Sequence, residues 1–128
     1  MKTCDKCHEK NVGNSKLCEI CSLKRSSYDL FGTEQKWKSL AALLQRQNFT
    51  CPYTGIKLFI GVNASIDHKI PKALEGSNDL GNLVWVHIWI NKMKYVTLPE
   101  EFNKELDLFL EKTITHRKNS LNLDFLRI

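Results

Sequence analysis

The sequence lacks the marks of several protein classes. No run of residues approaches the ~18 consecutive apolar positions of a membrane helix, and we predict no membrane-spanning segment. There is no internal repeat and no low-complexity segment, which excludes repeat architectures. The opening stretch MKTCDKCHEK has no apolar core of a secretory signal. We therefore expect an intracellular, cytoplasmic protein whose thiols remain reduced.

What remains is the composition of an ordinary folded domain, with a basic excess. Of the 128 residues, 42% are hydrophobic and 26% are charged, which suits one compact domain or a small domain with an appendage. The formal net charge of +5 divides into +2 for residues 1–33, +4 for 34–96 and −1 for 97–128. A basic middle attracts polyanions such as nucleic acids, although charge alone is weak evidence for them.

Four of the five cysteines form two CxxC pairs, CDKC and CEIC, separated by ten residues. Two such knuckles can complete a tetrahedral zinc site, and in a segment this small the metal supplies folding energy that few apolar residues could provide. The predicted zinc ligands are Cys4, Cys7, Cys18 and Cys21. Disulfides and c-type haem attachment at the CDKCH run are the alternatives, and the second CxxC pair argues against haem.

The chain divides by pattern into four parts. These are a turn-rich, cysteine-rich module at 1–25, a connector at 26–33, a core at 34–96, and a C-terminal helix and tail at 97–128. Thr33 is expected to cap a helix over 34–47. Strand material at 56–66 leads to Asp67, a loop follows at 69–82, and then come a second strand at 83–86 and a short helix at 89–94.

The C-terminal segment opens with Thr97-Leu98-Pro99-Glu100, which fits a capping box. The helix beyond it has one apolar stripe, formed by Phe102, Leu106, Phe109, Leu110 and Ile114. This stripe is expected to serve as core packing or as the contact of a homodimer.

The segment from residue 66 to residue 94 carries the run DHKIP at 67–71, the pair NL at 82–83 and the pair NK at 91–92. His68 and Asn82 are 14 residues apart, and Asn82 and Asn91 are 9 apart. This ordered set resembles the HNH, or ββα-metal, nuclease family. The resemblance implies an α+β fold with a small ββα-metal core flanked by helices, and the cysteine pairs add an N-terminal zinc knuckle to it. Phages and mobile elements encode many enzymes of this kind.

The resemblance also implies specific roles for four residues. Histidine suits proton transfer from water because its unperturbed pKa lies near ~6.5, and His68 is the expected general base. Asp67 and Asn91 are expected to hold one catalytic Mg²⁺ or Mn²⁺ through oxygen atoms, which hard cations prefer. Asn82 is expected to tether the loop and orient the backbone at His68.

DNA is the expected partner, and four lysines near this set are candidates for contacts with its phosphates. They are Lys69, Lys72, Lys92 and Lys94. Cutting both strands would require a homodimer or sequential nicking. Two other functions stay open at this point: a non-catalytic zinc-dependent nucleic-acid-binding protein, and an HNH enzyme that cleaves RNA.

Overall fold

The computed structural model describes residues 3–8 and 17–120. The chain forms two compact units, Met1–Val96 and Thr97–Ile128. The described helices and strands are α1 (Glu19–Phe31), α2 (Trp37–Arg46), β1 (Ala64–His68), β2 (Leu83–His87), α3 (Ile88–Lys94) and α4 (Pro99–Ser120). Helices and a two-stranded antiparallel sheet place the protein in the predicted α+β class. The predicted turns at 13–15 and the tail at 121–128 lie outside the described residues.

Helix α1 contains residues 26–31 of the segment predicted as a connector. The sulfur of Cys18 caps its first turn, and Gly32 ends it with a φ of 71°, donating its N–H to the carbonyl of Tyr28. Glycine tolerates this left-handed conformation without steric cost. The apolar period did not predict a helix over these residues, because the buried face of this helix is not wholly apolar. It includes Ser27, whose hydroxyl is 0% exposed and donates to the carbonyl of Thr33.

The predicted helix after Thr33 is confirmed, with a tighter start than expected. The Thr33 hydroxyl accepts a hydrogen bond from the N–H of Gln35, and a 3₁₀ turn over Glu34–Lys36 precedes α2. Leu40 and Leu44 are the buried residues of α2. Their spacing of four places them on one face of the helix, as the apolar period predicts.

Strands β1 and β2 pair antiparallel, with Ile66 opposite Trp85 and Asp67 opposite Val84. The predicted strand material at 56–66 is only partly strand, since β1 begins at Ala64. The residues before it form turns and one isolated antiparallel bridge, between Lys57 and Thr50. The side chain of Asn63 holds these turns, because Oδ1 accepts from the N–H of Phe59 and Nδ2 donates to the carbonyl of Lys57.

Gln47 joins α2 to the sheet, because its side-chain amide pairs with the backbone of Trp85 as a residue of a neighbouring strand would. Its Nε2 donates to the carbonyl of Trp85 at 2.8 Å, and its Oε1 accepts from the N–H of Trp85 at 2.8 Å. The indole Nε1 of Trp85 donates in turn to the carbonyl of Leu40 at 2.9 Å. Buried backbone groups need such partners, and a side-chain amide provides both a donor and an acceptor.

Helix α3 follows β2 directly, and His87 at the end of that strand caps it. The imidazole Nδ1 of His87 accepts from the N–H of Trp89 at 3.1 Å. Ile90 is buried, whereas Trp89 is 64% exposed. The helix therefore packs along one face and presents the other face to solvent.

Helix α4 forms most of the described part of the second unit. The apolar stripe predicted for it is divided. Phe102 and Leu106 are buried, but Phe109, Leu110 and Ile114 are exposed. None of the described helices is long and apolar enough to cross a bilayer.

Candidate catalytic and zinc-binding sites

The candidate catalytic site lies at the end of β1, where Asp67 and His68 occupy the last two positions. Successive side chains of a strand point to opposite faces. The Asp67 side chain is accordingly buried, and that of His68 is half-buried and reachable by water. The strand thus separates a buried carboxylate from an accessible imidazole.

Asp67 is paired with a lysine that is itself fully buried. The Lys94 ammonium lies 2.8 Å from Asp67 Oδ2 and donates to the carbonyl of His68 at 3.1 Å. Lys94 is 0% exposed. The Oδ2 atom is buried and receives no aligned hydrogen bond from any described residue, so the pairing is mainly ionic. Lys94 was one of the four lysines predicted to contact a phosphate of DNA. Its burial argues against this direct contact.

Replacing Lys94 with methionine is expected to lower the free energy of unfolding by about 3 kcal/mol, because it leaves a buried carboxylate without its counter-charge. The exposed Lys92, on the same helix, is the matched control. Lys92→Met is expected to change stability by less than about 0.5 kcal/mol. Chemical denaturation of both variants measures the difference. Equal stability of Lys94→Met and the wild type would contradict the role of this ion pair.

Asn91 lies one helical turn before Lys94 and also faces β1. Its Nδ2 donates to the hydroxyl of Ser65 at 2.8 Å and to the carbonyl of Ile66 at 3.2 Å. Both of these hydrogen bonds use the amide nitrogen, and the amide oxygen is the group that could ligate a cation. The contacts of α3 with Ser65, Ile66, Asp67 and His68 bring Asn91 to the same strand end as the candidate catalytic pair.

Asn82 closes the loop that follows His68. Its Oδ1 accepts from the N–H of Ile70 at 2.8 Å, and its Nδ2 donates to the carbonyls of Ile70 and Ser77 at 3.1 and 2.8 Å. Its own carbonyl accepts from the N–H of Lys69 at 2.7 Å. The loop is so tight that a Cβ atom on Gly76 would lie 1.7 Å from the carbonyl oxygen of Ile70. Asn82 therefore fixes both ends of a loop in which only glycine fits at position 76.

Asn78, which the sequence did not single out, holds the imidazole of His68. Its Oδ1 lies 2.7 Å from His68 Nε2, and its Nδ2 donates to the carbonyl of Leu30 in α1 at 2.7 Å. Asn78 stands in a run of turn-forming residues, and local sequence contains no signal for a partner 48 positions away.

The turn at 51–55 lies close to Asp67. Burial raises the pKa of the Tyr53 phenol above its ordinary value, and the negative charge of Asp67 raises it further. The phenol therefore remains neutral beside the carboxylate. Cys51, in the same turn, is buried as a small core residue.

Three of the four predicted phosphate contacts are on the surface. Lys69, Lys72 and Lys92 are exposed. The Lys92 ammonium lies 5.0 Å from the centre of the Trp89 ring, which is a cation–π distance. These side chains can reach a backbone phosphate without the desolvation cost that Lys94 would incur.

The second site is formed by the two CxxC pairs. The sulfur atoms of Cys4, Cys7, Cys18 and Cys21 all lie within 4.8 Å of one another. Those of Cys7 and Cys18 are 3.8 Å apart. Ligands at a Zn–S bond length of ~2.3 Å in a tetrahedron are ~3.8 Å apart, and the cluster therefore has the dimensions of a four-thiolate zinc site.

The electrostatics of this cluster also fit a metal. Backbone N–H groups, first that of Cys7 and then that of Cys18, lower the pKa of Cys4 to about 6. Burial raises the pKa of Cys21 to about 12, and the sulfur atoms around it raise it as well. Four thiolates this close repel one another unless a cation lies between them. Four thiolates suit a metal that binds soft ligands, such as zinc. Covalent attachment of haem would use the thiols of Cys4 and Cys7, and these would then not be available as metal ligands in this cluster.

Comparison with known proteins identifies no family. No protein-family model matches the chain, and no curated protein matches it at a significant level. The function is therefore inferred from the two sites themselves.

Proposed function

We propose that this protein is a metal-dependent endonuclease of the HNH type that hydrolyses DNA phosphodiester bonds, with a structural zinc ion at its four clustered cysteines. One observation carries the proposal. Asn91 and Lys94, a turn apart on α3, contact the strand end that bears Asp67 and His68. A base, a carboxylate and a side-chain amide thereby lie within one small region, and hydrolysis of a phosphodiester uses groups of these kinds.

Asp67 and Asn91 would hold the catalytic Mg²⁺ or Mn²⁺. Hard cations in nuclease sites are commonly bound by one or two protein oxygen atoms, with water and substrate phosphate completing the coordination. The Asp67 carboxylate is buried and the Asn91 amide is oriented by the hydrogen bonds of its nitrogen, so both groups are held in place. The bound cation would stabilise negative charge on the phosphate and on the leaving oxygen.

His68 would act as the general base. Its imidazole accepts a proton from a water molecule, whose oxygen attacks phosphorus while the bond to the 3′-oxygen breaks. The products are a 5′-phosphate and a 3′-hydroxyl, as the family resemblance implies. The half-buried position of His68 supports this role because the ring is accessible to water on one side and held by Asn78 on the other.

Lys69, Lys72 and Lys92 would pair with phosphates on either side of the scissile bond. All three are exposed, and the part of the chain that contains them carries a net charge of +4. Contacts with phosphates position a substrate without reading its bases. Lys94 has a different role in this proposal, since it neutralises Asp67 from within the protein.

Cleavage of supercoiled plasmid by the zinc-loaded full chain tests the proposal. The reaction is run with Mg²⁺ and without it. Mg²⁺ is omitted rather than chelated, because a chelator would also remove zinc from the cysteines. We expect nicked or linear plasmid only when Mg²⁺ is present. The ratio of nicked to linear product then indicates whether one subunit cuts alone or two act together.

The same samples separate the rival functions. Binding of random duplex DNA without cleavage, in several divalent metals, would indicate a non-catalytic binding module. Cleavage restricted to a structured RNA would indicate the RNA-cleaving enzyme. Plasmid cleavage at the same rate without any added divalent metal would contradict the mechanism.

A further inference from the structure

The hydrogen bonds of Asn78 determine which nitrogen of His68 carries a proton. The carbonyl of Leu30 can only accept a hydrogen bond, so the amide nitrogen of Asn78 must face it. The amide oxygen therefore faces His68 Nε2 at 2.7 Å. Since this oxygen also only accepts, Nε2 must be the donor and carry the hydrogen. In the neutral ring the lone pair is then on Nδ1.

The anchor for Asn78 is the last turn of α1. The final four carbonyls of a helix have no partner within the helix, and Leu30 supplies one of these. This turn is itself held, because the buried Ser27 hydroxyl donates to the carbonyl of Thr33 at 2.6 Å and accepts from the N–H of Lys36 at 3.2 Å. Asn78 thus connects a fixed helix end to the imidazole.

We propose that Asn78 is a positioning residue that holds His68 with its proton on Nε2 and its Nδ1 available to take the proton from water. The catalytic half of this inference rests on the proposed nuclease function, whereas the assignment of the proton does not. Such a residue acts through the base and does not touch the substrate. For comparison, the loss of a residue that orients a metal-binding histidine costs ~10–100-fold in metal affinity or activity.

Two measurements on the zinc-loaded full chain test this inference. The first is the imidazole N–H signal of His68 in NMR spectra of ¹⁵N-histidine-labelled protein, assigned by its loss in His68→Gln. A hydrogen-bonded Nε2–H exchanges slowly with water and is observed. We expect this signal in the wild type and its loss in Asn78→Ala. In Asn78→Asp, which keeps an acceptor oxygen, we expect it to return at least in part.

The second measurement is the rate of plasmid cleavage in Mg²⁺. Asn78→Ala is expected to lower the maximal rate by ~10–100-fold and to leave the DNA concentration for half-maximal rate within about threefold. Asn63→Ala is the matched control, because Asn63 also makes two side-chain hydrogen bonds to a loop backbone but does not contact His68. The control is expected to retain both the signal and the rate.

Persistence of the His68 N–H signal in Asn78→Ala would overturn the inference. Loss of the signal with an unchanged cleavage rate would overturn its catalytic half. If the wild type shows the signal but cleaves no nucleic acid, the proposed function fails while the positioning of His68 by Asn78 stands. Equal loss of signal in Asn63→Ala would overturn the specific role of Asn78.

Discussion

Replacing His68 with alanine is expected to lower the rate of Mg²⁺-dependent plasmid cleavage by ~10²–10⁴-fold, which is the usual contribution of a general base. The alanine side chain cannot accept a proton from the attacking water. His68 is half-buried, and its backbone carbonyl, not its ring, receives the hydrogen bond of Lys94. The substitution therefore leaves the contact between β1 and α3 intact, and the fold and DNA binding are expected to change little.

His116 offers a matched control for this experiment, because it is exposed and lies on α4, outside the unit that contains the candidate site. His116→Ala is expected to cleave at the wild-type rate. DNA binding at low and moderate salt is measured in parallel, so that loss of cleavage can be separated from loss of binding. If His68→Ala cleaves as fast as the wild type, the general base is a different group and the mechanism proposed here is wrong.

Removing one cysteine of the cluster is expected to have the largest effect on folding. Structural zinc contributes ~10–16 kcal/mol of apparent binding free energy in small zinc-finger peptides, which is comparable to the total stability of a typical domain, about 5–15 kcal/mol. Cys4→Ser is therefore expected to lose its zinc and to unfold at least the first turns of the chain. Zinc content per chain, measured after dialysis, tests this directly.

Cys51 is the control for that substitution because it is as deeply buried as Cys4 but lies outside the cluster. Cys51→Ser is expected to retain one zinc per chain. Cobalt substitution gives a second readout, since Co²⁺ in a tetrahedral thiolate site absorbs strongly in the visible and near ultraviolet. Equal zinc content in Cys4→Ser and the wild type, or equal loss in both variants, would contradict a four-cysteine site.

Loss of zinc would also affect the candidate catalytic site, because α1 connects the cysteine cluster to that site. Cys18 caps this helix, Cys21 lies in its first turn, and Leu30 near its end binds Asn78. An ion pair between Lys6 and Glu34 joins the first cysteine knuckle to the 3₁₀ turn before α2. Loss of zinc is expected to weaken the start of α1 more than its end, which Ser27 holds separately.

Local sequence patterns were sufficient for the features whose partners are neighbours in the chain. Thr33 caps a helix through the N–H two residues later. Each CxxC pair brings two sulfur atoms together within a single turn. The strand that ends at His68 and the one that begins at Leu83 are separated by a loop of turn-forming residues. This pattern predicted two strands, and the structure pairs them antiparallel. These features follow from hydrogen-bonding and side-chain periods of two to four residues.

Local sequence patterns failed to predict burial where it depends on contacts with residues distant in the chain. The local sequence predicts that Lys94 is an exposed helix residue. It is buried instead, because its ammonium pairs with the carboxylate of Asp67, 27 positions earlier. Ser27 occupies a buried helix position because its hydroxyl bonds the turn that follows α1. The stripe on α4 is continuous in sequence, but only Phe102 and Leu106 of its five residues are buried. A charge, a hydroxyl or an apolar face becomes buried only when a partner or a packing surface is present.

The sequence by itself determined the residue types of both sites and their order along the chain: the four cysteines, Asp67, His68, Asn82 and Asn91. Only the tertiary structure decided how these groups are held. It places Lys94 against Asp67, Asn78 between His68 and α1, and Gln47 against β2. These contacts join residues that are 10 to 48 positions apart, and their geometry depends on packing that no local period encodes.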